Sequence, residues 1–414
     1  MFERQINKEW DFRTANTKEF THCYHAYPAM MIPQVARSLI EKFAPQGKFE
    51  LLFDPYMGSG TSLVEASLCG IDSIGTDINP LAQMIARAKV THFNESQIEN
   101  YISELQLLSF VYTPEKVENR DFSRISNYSF WYSDDVLLKL SFLSQFIEQK
   151  IDCENRLFFK IPLSELVREV SFTRNGEFKR FRMPENKIEN FRPDVFRLFE
   201  EKVMRNLNGL RSYNAILHRS KSTICNFNSV FGIPEAILQP NSVDMVVTSP
   251  PYGDSRTTVA YGQFSRWANE WFGLLDGQNL DNLLMGGKRQ TEKIFDVQTI
   301  SEALSKIESE DSKRYLDVVA FLNDYYKSIK NVAKVVRSGG RVCYVVGNRN
   351  VKGVQIPLDY FTAEVFEQCG FKFETTIVRE IPNKRMPSKT SPSNQPGQKV
   401  NTMANEYIVV LTKQ

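Results

Sequence analysis

The chain has 414 residues, of which 24% are charged and 42% hydrophobic, as in an ordinary globular protein. Its 51 lysines and arginines nearly balance 49 acids, which excludes a chain that is basic throughout and confines any nucleic-acid contact to a local patch. No apolar run reaches the roughly 18 residues of a membrane span, and the start MFERQINKEWDFR lacks a signal-peptide apolar region, so we expect a cytoplasmic protein with no membrane partner.

Residues 49–92 predict a βαβ unit and therefore a parallel sheet. In chain order they contain a strand FELLFD, a helix SLVEASLCG ending at Gly70, a strand IDSIGTD, and a helix PLAQMIARAKV starting with Pro80. The alternation returns with the strands SVDMVVTS, RVCYVVGN, FKFETTIV and NEYIVVLTK. Two helices are predicted among them, PLDYFTAEVFEQCG and VVAFLNDYYKSIKNVAKVVRSGG, the latter ended by Gly339-Gly340. The sequence thus predicts an α/β fold.

Residues 93–221 interrupt this alternation with long amphipathic helical patterns, such as SDDVLLKLSFLSQFIEQ and RPDVFRLFEEKVMRNLNGL. We predict that they form a mainly helical insertion, and that residues 1–92 and 222–414 together form one catalytic domain. The six cysteines are scattered without a Cys-x-x-Cys pair, and the cluster His22-Cys23-Tyr24-His25 has no partner cluster. We therefore expect no metal site and no disulfide framework.

The turn DPYMGSGT (54–61) carries two glycines, Gly58 and Gly60, which permit a tight turn and a close approach of the backbone to a ligand. Asp77 ends the second strand 17 residues after Gly60, where an acid can accept both hydroxyls of a ribose. The GxGxxG fingerprint of dinucleotide sites is missing, and Thr61 stands where a triphosphate-binding loop has lysine. A nucleoside without phosphates, such as S-adenosylmethionine, fits better. A tight strand-to-helix turn with a capping acid is the alternative.

The turn DPYMGSGT, Asp77 and the segment TSPPY (248–252) together resemble the amino-methyltransferases of DNA, which methylate cytosine N4 or adenine N6. The resemblance covers residues 20–92 and about 222–414, and the insertion only loosely. It implies a Rossmann-like class I methyltransferase sheet, mostly parallel with an antiparallel last strand. It also implies S-adenosylmethionine as cofactor and double-stranded DNA as partner.

The cofactor residues that the resemblance implies lie in the turn, at two strand ends and in an upstream segment. That segment, THCYHAYPAMMIPQVARSLI, resembles the part of the family that closes over the methionine end of the cofactor. It also fits an ordinary helix entry with Pro33 in the first turn. The implied cofactor-binding residues are Tyr27, Pro28, Asp54, Pro55, Met57, Gly58, Ser59, Gly60, Thr61, Asp77, Ile78, Asn79 and Thr248.

The segment Ser249-Pro250-Pro251-Tyr252 resembles the family's catalytic motif, Asp/Asn/Ser-Pro-Pro followed by an aromatic residue. An exocyclic amine on an aromatic base is a poor nucleophile because its lone pair is delocalised into the ring. Ser249 Oγ and the carbonyl of Pro250 can accept its N–H groups, and Tyr252 offers a face on which a flipped base can stack. Methylation at cytosine C5 would require a cysteine, usually in a Pro-Cys pair, which the sequence lacks. A purely structural strand end is the alternative.

The first residue of this motif bears on the choice of base. Serine favours cytosine N4, whereas aspartate or asparagine is typical of adenine N6. Many N4-cytosine enzymes place the catalytic motif before the cofactor turn, and here the order is reversed, which weakens the base assignment. We expect a site-specific DNA methyltransferase of a restriction-modification or related defence system, which could pair it with a cognate restriction endonuclease. The alternatives are adenine-N6 methylation, guanine-N2 methylation in RNA, and a non-catalytic DNA-binding module.

Basic side chains with interleaved aromatic residues suit phosphate and base contacts. The segment SFTRNGEFKRFR (171–182) has this composition, and the insertion that contains it is the candidate target-recognition region. A solvated basic hairpin is the alternative. Trp267 and Trp271, one helical turn apart, are predicted to be helix core. The candidate DNA-binding residues are Arg174, Lys179, Arg180 and Arg182, with Arg256 after the catalytic motif and Lys384 and Arg385 before the last strand.

Overall fold

The computed structural model describes residues 2–28, 30–176, 179–216, 220–252, 255–274, 280–288, 290, 292–381, 389–390, 400–401 and 404–414. The strands in these ranges are β1 Arg4–Ile6, β2 Leu51–Asp54, β3 Asp72–Thr76, β4 Ser222–Cys225, β5 Val243–Thr248, β6 Val336–Val346, β7 Asn350–Val351, β8 Val354–Gln355, β9 Phe371–Glu380, β10 Lys389–Thr390, β11 Val400–Asn401 and β12 Asn405–Lys413. The α-helices are α1 Pro33–Lys42, α2 Thr61–Leu68, α3 Pro80–Lys89, α4 Glu95–Phe110, α5 Tyr128–Trp131, α6 Asp134–Lys150, α7 Arg156–Glu169, α8 Glu185–Ile188, α9 Val195–Asn214, α10 Ser255–Trp271, α11 Leu280–Leu283, α12 Ser301–Glu310, α13 Ser312–Val335 and α14 Leu358–Gln368. Short 3₁₀ helices span Lys8–Asp11, Phe20–Tyr24, Pro114–Lys116 and Gln298–Ile300.

The main sheet has eight strands within the described ranges, in the order β1-β9-β12-β6-β5-β2-β3-β4. The consecutive strands β6, β5, β2, β3 and β4 are parallel to one another, and β1 is parallel to β9. Only β12 runs antiparallel to the strands beside it, β6 and β9, among the pairs described in this sheet. This confirms the predicted fold, a Rossmann-like class I methyltransferase sheet that is mostly parallel and has an antiparallel last strand.

The central strand β5 shows why the sheet lies between two layers of helices. All six of its residues are buried, as its continuous apolar sequence predicts for a strand covered on both faces. Successive side chains point to opposite faces. Val246 packs into a core with Phe321 of α13, whereas Val247 packs into a second core with Leu39 of α1. The two faces are therefore closed by helices, and the carboxyl edge of the sheet is left to the loops.

One predicted helix boundary is wrong. The helix α13 ends at Val335, and the residues up to Gly340 belong to β6. The pairing of β5 with β6 shifts register just after Val243. The extra residues lie in β6, which therefore carries a bulge at this point. A Cβ on Gly340 would lie 2.8 Å from the carbonyl oxygen of Arg337 and 3.0 Å from that of Asp244. The glycine therefore permits a close approach of backbones at a bulge and does not end a helix.

The helices α4–α9 follow α3 and precede β4 in the chain, within the range for which helical patterns were predicted. Their apolar side chains share one core with α3, with α10 and with Tyr24 and Tyr27. Trp267 and Trp271 of α10 are buried in this core, which confirms their predicted place in a helix core. The insertion thus packs against the chain segments that border the carboxyl edge of the sheet. Within the described residues, none of the helices combines the length and hydropathy needed to cross a bilayer.

Candidate active site

A cleft opens at the carboxyl edge of the sheet, around the ends of β2, β3, β4 and β5. Its empty volume is about 910 Å³, including the part that opens to solvent. In open α/β sheets, ligands bind at this edge, because the loops that follow the parallel strands converge there. The cleft is therefore the candidate active site.

The glycine turn between β2 and α2 forms one wall of the cleft. Gly60 has a φ of +79°, and a Cβ on it would lie 2.8 Å from the Cβ of Ala86 in α3. Glycine is required here both for the positive φ and for the close packing of α3 on the turn. The backbone N–H of Gly58 donates to Asp77 Oδ2 at 3.1 Å, which connects the turn to the end of β3.

Asp77 faces the cleft directly after β3. Its Oδ1 accepts from the backbone N–H of Asn79 at 2.8 Å, and its Oδ2 accepts from that of Gly58. Each carboxylate oxygen has two lone pairs, so both oxygens keep acceptor capacity for a ligand. Burial raises the pKa of Asp77 to about 6, although the two backbone N–H groups favour the charged form. This geometry suits a pair of hydroxyls such as those of a ribose.

Asn79 connects three segments of the chain at the cleft. Its side-chain oxygen accepts from the backbone N–H of Leu81 and caps α3. Its Nδ2 donates to the hydroxyl of Tyr27 at 3.0 Å and to Ser265 Oγ of α10 at 2.7 Å. Two predicted cofactor residues, Tyr27 and Asn79, are thus in direct contact although 52 positions separate them.

Asp54 connects the glycine turn to the strand that leads into the catalytic segment. Its Oδ1 accepts from Thr248 Oγ1 at 2.5 Å and from the backbone N–H of Tyr56 at 3.0 Å, and its Oδ2 accepts from Ser62 Oγ. The residue is only 3% exposed. Burial raises the pKa of Asp54 to about 6, and these hydrogen bonds act in the opposite direction. The carboxylate therefore lies behind the cleft and holds its two walls together.

The predicted catalytic segment 249–252, which follows β5, lines the same cleft as Asp77, which follows β3. Ser249 Oγ lies 3.0 Å from the hydroxyl of Tyr252, which donates to Glu406 Oε1 at 3.2 Å. Glu406 is the second residue of β12. Because β12 is antiparallel, its first residues lie at the edge where β5 ends. An acid that our sequence analysis did not single out therefore reaches the catalytic segment.

Most of the predicted catalytic and cofactor residues meet in this single cleft. Those that line it are Tyr27, Pro28, Pro55, Gly58, Asp77, Ile78, Asn79, Ser249, Pro250, Pro251 and Tyr252. Those that lie within the turn or behind the cleft are Asp54, Met57, Ser59, Gly60, Thr61 and Thr248.

The sequence analysis missed other lining residues, namely Tyr56, Thr76, Phe227, Asn228, Ser229, Val230, Leu283, Leu284 and Met285. Residues 227–230 follow β4, so a sequence reading that recognised this strand would have placed them at the same edge of the sheet. Residues 283–285 are separated from the catalytic segment by α10, and no local pattern marks them as part of the cleft.

In the described parts of the basic segment, 171–176 and 179–182, an isolated antiparallel bridge joins Thr173 and Arg182. Arg174 and Lys179 are exposed, as residues that contact phosphates would need to be. Three of the predicted DNA contacts lie outside what the structure describes: the side chain of Arg256, and the residues Lys384 and Arg385.

Two of the predicted DNA contacts pack against aromatic rings. The guanidinium of Arg180 lies 4.7 Å from the ring centroid of Trp267, and that of Arg182 lies 4.2 Å from the ring centroid of Phe130. Arg182 also pairs with Glu185. Both arginine side chains therefore pack against aromatic residues of the protein itself.

In the cluster His22-Cys23-Tyr24-His25, which the sequence analysis considered for metal binding, a histidine pairs with an acid. His22 Nε2 lies 2.8 Å from Glu65 Oε1 in the interior, and burial lowers the pKa of His22. Among the residues that the structure describes, no group of three or more histidines, cysteines and acids is placed to hold a metal ion.

Comparison with known proteins agrees with this geometry. A family model for N6 and N4 methyltransferases, described as DNA methylase, matches residues 243–414. The Type II methyltransferase M.MvaI of Kocuria varians is 41% identical, over 98% of this chain and 94% of its own length. The Type II methyltransferase M.BsoBI of Geobacillus stearothermophilus is 21% identical, over 86% of this chain and 80% of its own length.

Among solved structures, the rRNA methyltransferase aviRa of Streptomyces viridochromogenes matches with a TM-score of 0.33 and 10% identity, over 93% of this chain and 86% of that chain. The fold assignment rests on the strand order of the sheet and not on this weak likeness. The family assignment rests on the 41% identity along nearly the whole chain and on the match of the family model over residues 243–414. The chain therefore belongs to the N6/N4 DNA methylase family, among the Type II methyltransferases.

Proposed function

We propose that the protein transfers the methyl group of S-adenosylmethionine to the exocyclic N4 amine of a flipped cytosine in double-stranded DNA. The observation that carries this proposal is a single cleft with Asp77 and Gly58 on one wall and Ser249 and Tyr252 on the other. The first wall suits a nucleoside cofactor and the second an aromatic base with an amine. A methyl donor and its acceptor can therefore be held side by side, and positioning supplies much of the catalysis.

S-adenosylmethionine fits the cofactor wall, which needs no phosphate contacts. The carboxylate of Asp77 keeps acceptor capacity for ribose hydroxyls, and Ile78 and Pro28 give apolar surface for a purine ring. Gly58 lies beside the ring of Tyr27, and its φ of +49° favours glycine at this point of the turn. When bound, this cofactor supplies a methyl group that its positively charged sulfur activates.

The segment 249–252 can orient the amine for attack. Ser249 Oγ can accept one of its N–H groups and the carbonyl of Pro250 the other, which helps the nitrogen to pyramidalise. The ring of Tyr252 can stack on the flipped base, an interaction worth about 1–3 kcal/mol. Acceptors that are already in place need no rearrangement during the reaction, which makes them effective.

The choice of cytosine rests on Ser249, because the corresponding position of adenine-N6 enzymes usually holds aspartate or asparagine. Adenine N6 is the second candidate target. The observation in its favour is that the cofactor turn precedes the catalytic segment here, unlike the order in many N4-cytosine enzymes.

We further propose that the helical region 93–221 carries the target-recognition surface. Arg174 and Lys179 are exposed there, and the neighbouring Arg180 lies on Trp267 of α10, the helix that follows the catalytic segment. A restriction-modification role with a cognate endonuclease is part of the same proposal. It is supported by two relatives that are named Type II methyltransferases.

Product analysis tests the proposed reaction. The protein is incubated with tritiated S-adenosylmethionine and either duplex DNA or tRNA, and the labelled nucleic acid is digested to nucleosides for mass spectrometry. We expect N4-methylcytosine in DNA, no 5-methylcytosine, and no label in tRNA. N6-methyladenine as the only product would change the base and keep the mechanism, whereas label in tRNA alone would change the substrate.

The variant Ser249→Ala tests the mechanism. It removes one acceptor of the amine and leaves the Pro250 carbonyl and the cofactor wall in place. We expect the single-turnover rate to fall by roughly 10² or more while the affinities for cofactor and DNA stay nearly unchanged. Tyr252→Ala is the contrasting variant, because it should lose both rate and binding of the flipped base. An undiminished rate in Ser249→Ala would contradict the role of the serine.

A further inference from the structure

A chain of hydrogen bonds leads from the cleft into the sheet. It begins at Ser249 Oγ, passes through the hydroxyl of Tyr252 at 3.0 Å, and continues to Glu406 Oε1 at 3.2 Å. Glu406 Oε2 accepts from Arg379 of β9. The chain therefore joins the residue that faces the target amine to a carboxylate on another strand.

The positive charge of Arg379, beside Glu406, determines which group donates and which accepts in each hydrogen bond of the chain. Arg379 is only 4% exposed, and it also donates to the backbone carbonyl of Trp10 at 2.7 Å, so its guanidinium is held beside Glu406. A carboxylate paired with a guanidinium is ionised and can only accept hydrogen bonds. The hydroxyl of Tyr252 has a single proton and donates it to Glu406. Towards Ser249 this hydroxyl is therefore an acceptor.

The consequence falls on Ser249. Its hydroxyl also has one proton, and donation to Tyr252 uses it. The lone pairs of Ser249 Oγ are then left for the cleft, where an amine offers N–H groups. If the chain ran in the opposite direction, the serine proton would point at the amine and two donors would face each other.

We propose that Glu406 is a positioning residue that fixes Ser249 as a hydrogen-bond acceptor for the target amine. The inference rests on the proposed function, because it assumes an amine in the cleft. Glu406 touches neither substrate nor cofactor in this scheme. It acts through the hydroxyl of Tyr252, and it orients a proton without taking one up.

The near-isosteric variant Glu406→Gln is expected to reverse the chain. Arg379 can only donate, so the amide oxygen of the new side chain will face Arg379 and its NH₂ group will face Tyr252. Tyr252 then donates to Ser249, and the serine proton turns towards the cleft. We expect the single-turnover rate to fall by about tenfold or more, with the dissociation constants of S-adenosylmethionine and duplex DNA within about twofold of the parent values.

Two double-mutant cycles separate this effect from a general disturbance of β9 and β12. Tyr252→Phe keeps the ring for stacking and interrupts the chain, and Ser249→Ala removes the group on which the chain acts. In either background, Glu406→Gln should slow the reaction by less than about twofold further, because the pathway is already broken. Thermal unfolding of each variant checks that the fold is retained.

Independent effects would overturn the proposal: if Glu406→Gln slows methyl transfer equally in the parent protein and in both backgrounds, Glu406 acts through the fold of the strands. A parent-like rate in Glu406→Gln would overturn it as well. The parent protein is assayed first for methylation of duplex DNA. A parent protein that does not methylate duplex DNA would contradict the proposed function. This result is distinguishable from double-mutant cycles that contradict the role of Glu406 in an active enzyme.

Discussion

Two aspartates at the ends of neighbouring parallel strands differ in what they bind. Asp54 is the last residue of β2, Asp77 directly follows β3, and burial raises the pKa of each to about 6. Asp54 is occupied by the hydroxyls of Thr248 and Ser62 and lies behind the cleft. Asp77 is held by backbone N–H groups and faces the cleft. Similar residues at equivalent places in a βα unit thus serve different purposes, one internal and one directed at a ligand.

The position of each strand in the sheet explains the difference. The strand β2 lies between β5 and β3, so the side chain at its end meets the end of β5, where Thr248 precedes Ser249. The strand β3 lies farther from β5, and the loop after it borders open space. Spatial order, which the chain order does not reveal, therefore determines which acid is left for a ligand.

The largest expected effect is the loss of stability in Asp54→Ala. Three hydrogen bonds to a buried carboxylate are removed, and two buried hydroxyls lose their acceptor, so the free energy of unfolding should fall by on the order of 3 kcal/mol. Urea unfolding followed by circular dichroism measures it. Asp77→Ala is the matched control, with an expected loss of about 1 kcal/mol, because its partner N–H groups can bond water in the cleft. Equal losses of unfolding free energy in the two variants would contradict the proposed difference between an internal and a ligand-facing acid.

The second prediction concerns cofactor affinity. Asp77→Ala should weaken binding of S-adenosylmethionine by about 2 kcal/mol, or about 30-fold, as expected for a charged hydrogen bond. Isothermal titration calorimetry on the folded variant measures this directly. An affinity equal to that of the parent protein would remove Asp77 from the site.

The smallest expected effect is the pH dependence of that affinity. The ionised carboxylate is the better acceptor for ribose hydroxyls, and its pKa is about 6, so about one tenth is ionised one pH unit lower. Binding of S-adenosylmethionine should therefore tighten by up to about tenfold between pH 5 and pH 7. Asp77→Asn should remove this dependence, and a slope that survives in this variant would have to come from another group.

Stability should follow the opposite trend. Both acids have a pKa near 6 in the folded protein, above the value near 4 of an unfolded chain. Their favourable contribution is therefore fully present below pH 4 and is lost as the pH rises through 6. Cofactor binding and stability thus respond to the same titration with opposite signs.

Much of the fold and of the cleft follows from local patterns. The strand ends, the spacing of the glycines and the two prolines were enough to predict that Gly58, Asp77 and Ser249 lie at one edge of the sheet. Glu406 was not found, because an acid at the start of a β-strand has no distinctive local signature. Its position follows only from combining an antiparallel last strand with the strand order. The end of α13 was misplaced because Gly340 serves a bulge, a requirement that arises from the neighbouring strand.

The amide of Asn79 has a thermodynamic consequence. One Nδ2 group holds Tyr27, from the segment before α1, and Ser265, from the helix after the catalytic residues. We therefore expect a displacement of Asn79 to be transmitted to both segments. A free-energy coupling between two ligands is reciprocal. Whatever factor the cofactor imposes on DNA affinity, DNA must impose on cofactor affinity, and replacing this single amide is the most direct way to change both factors together.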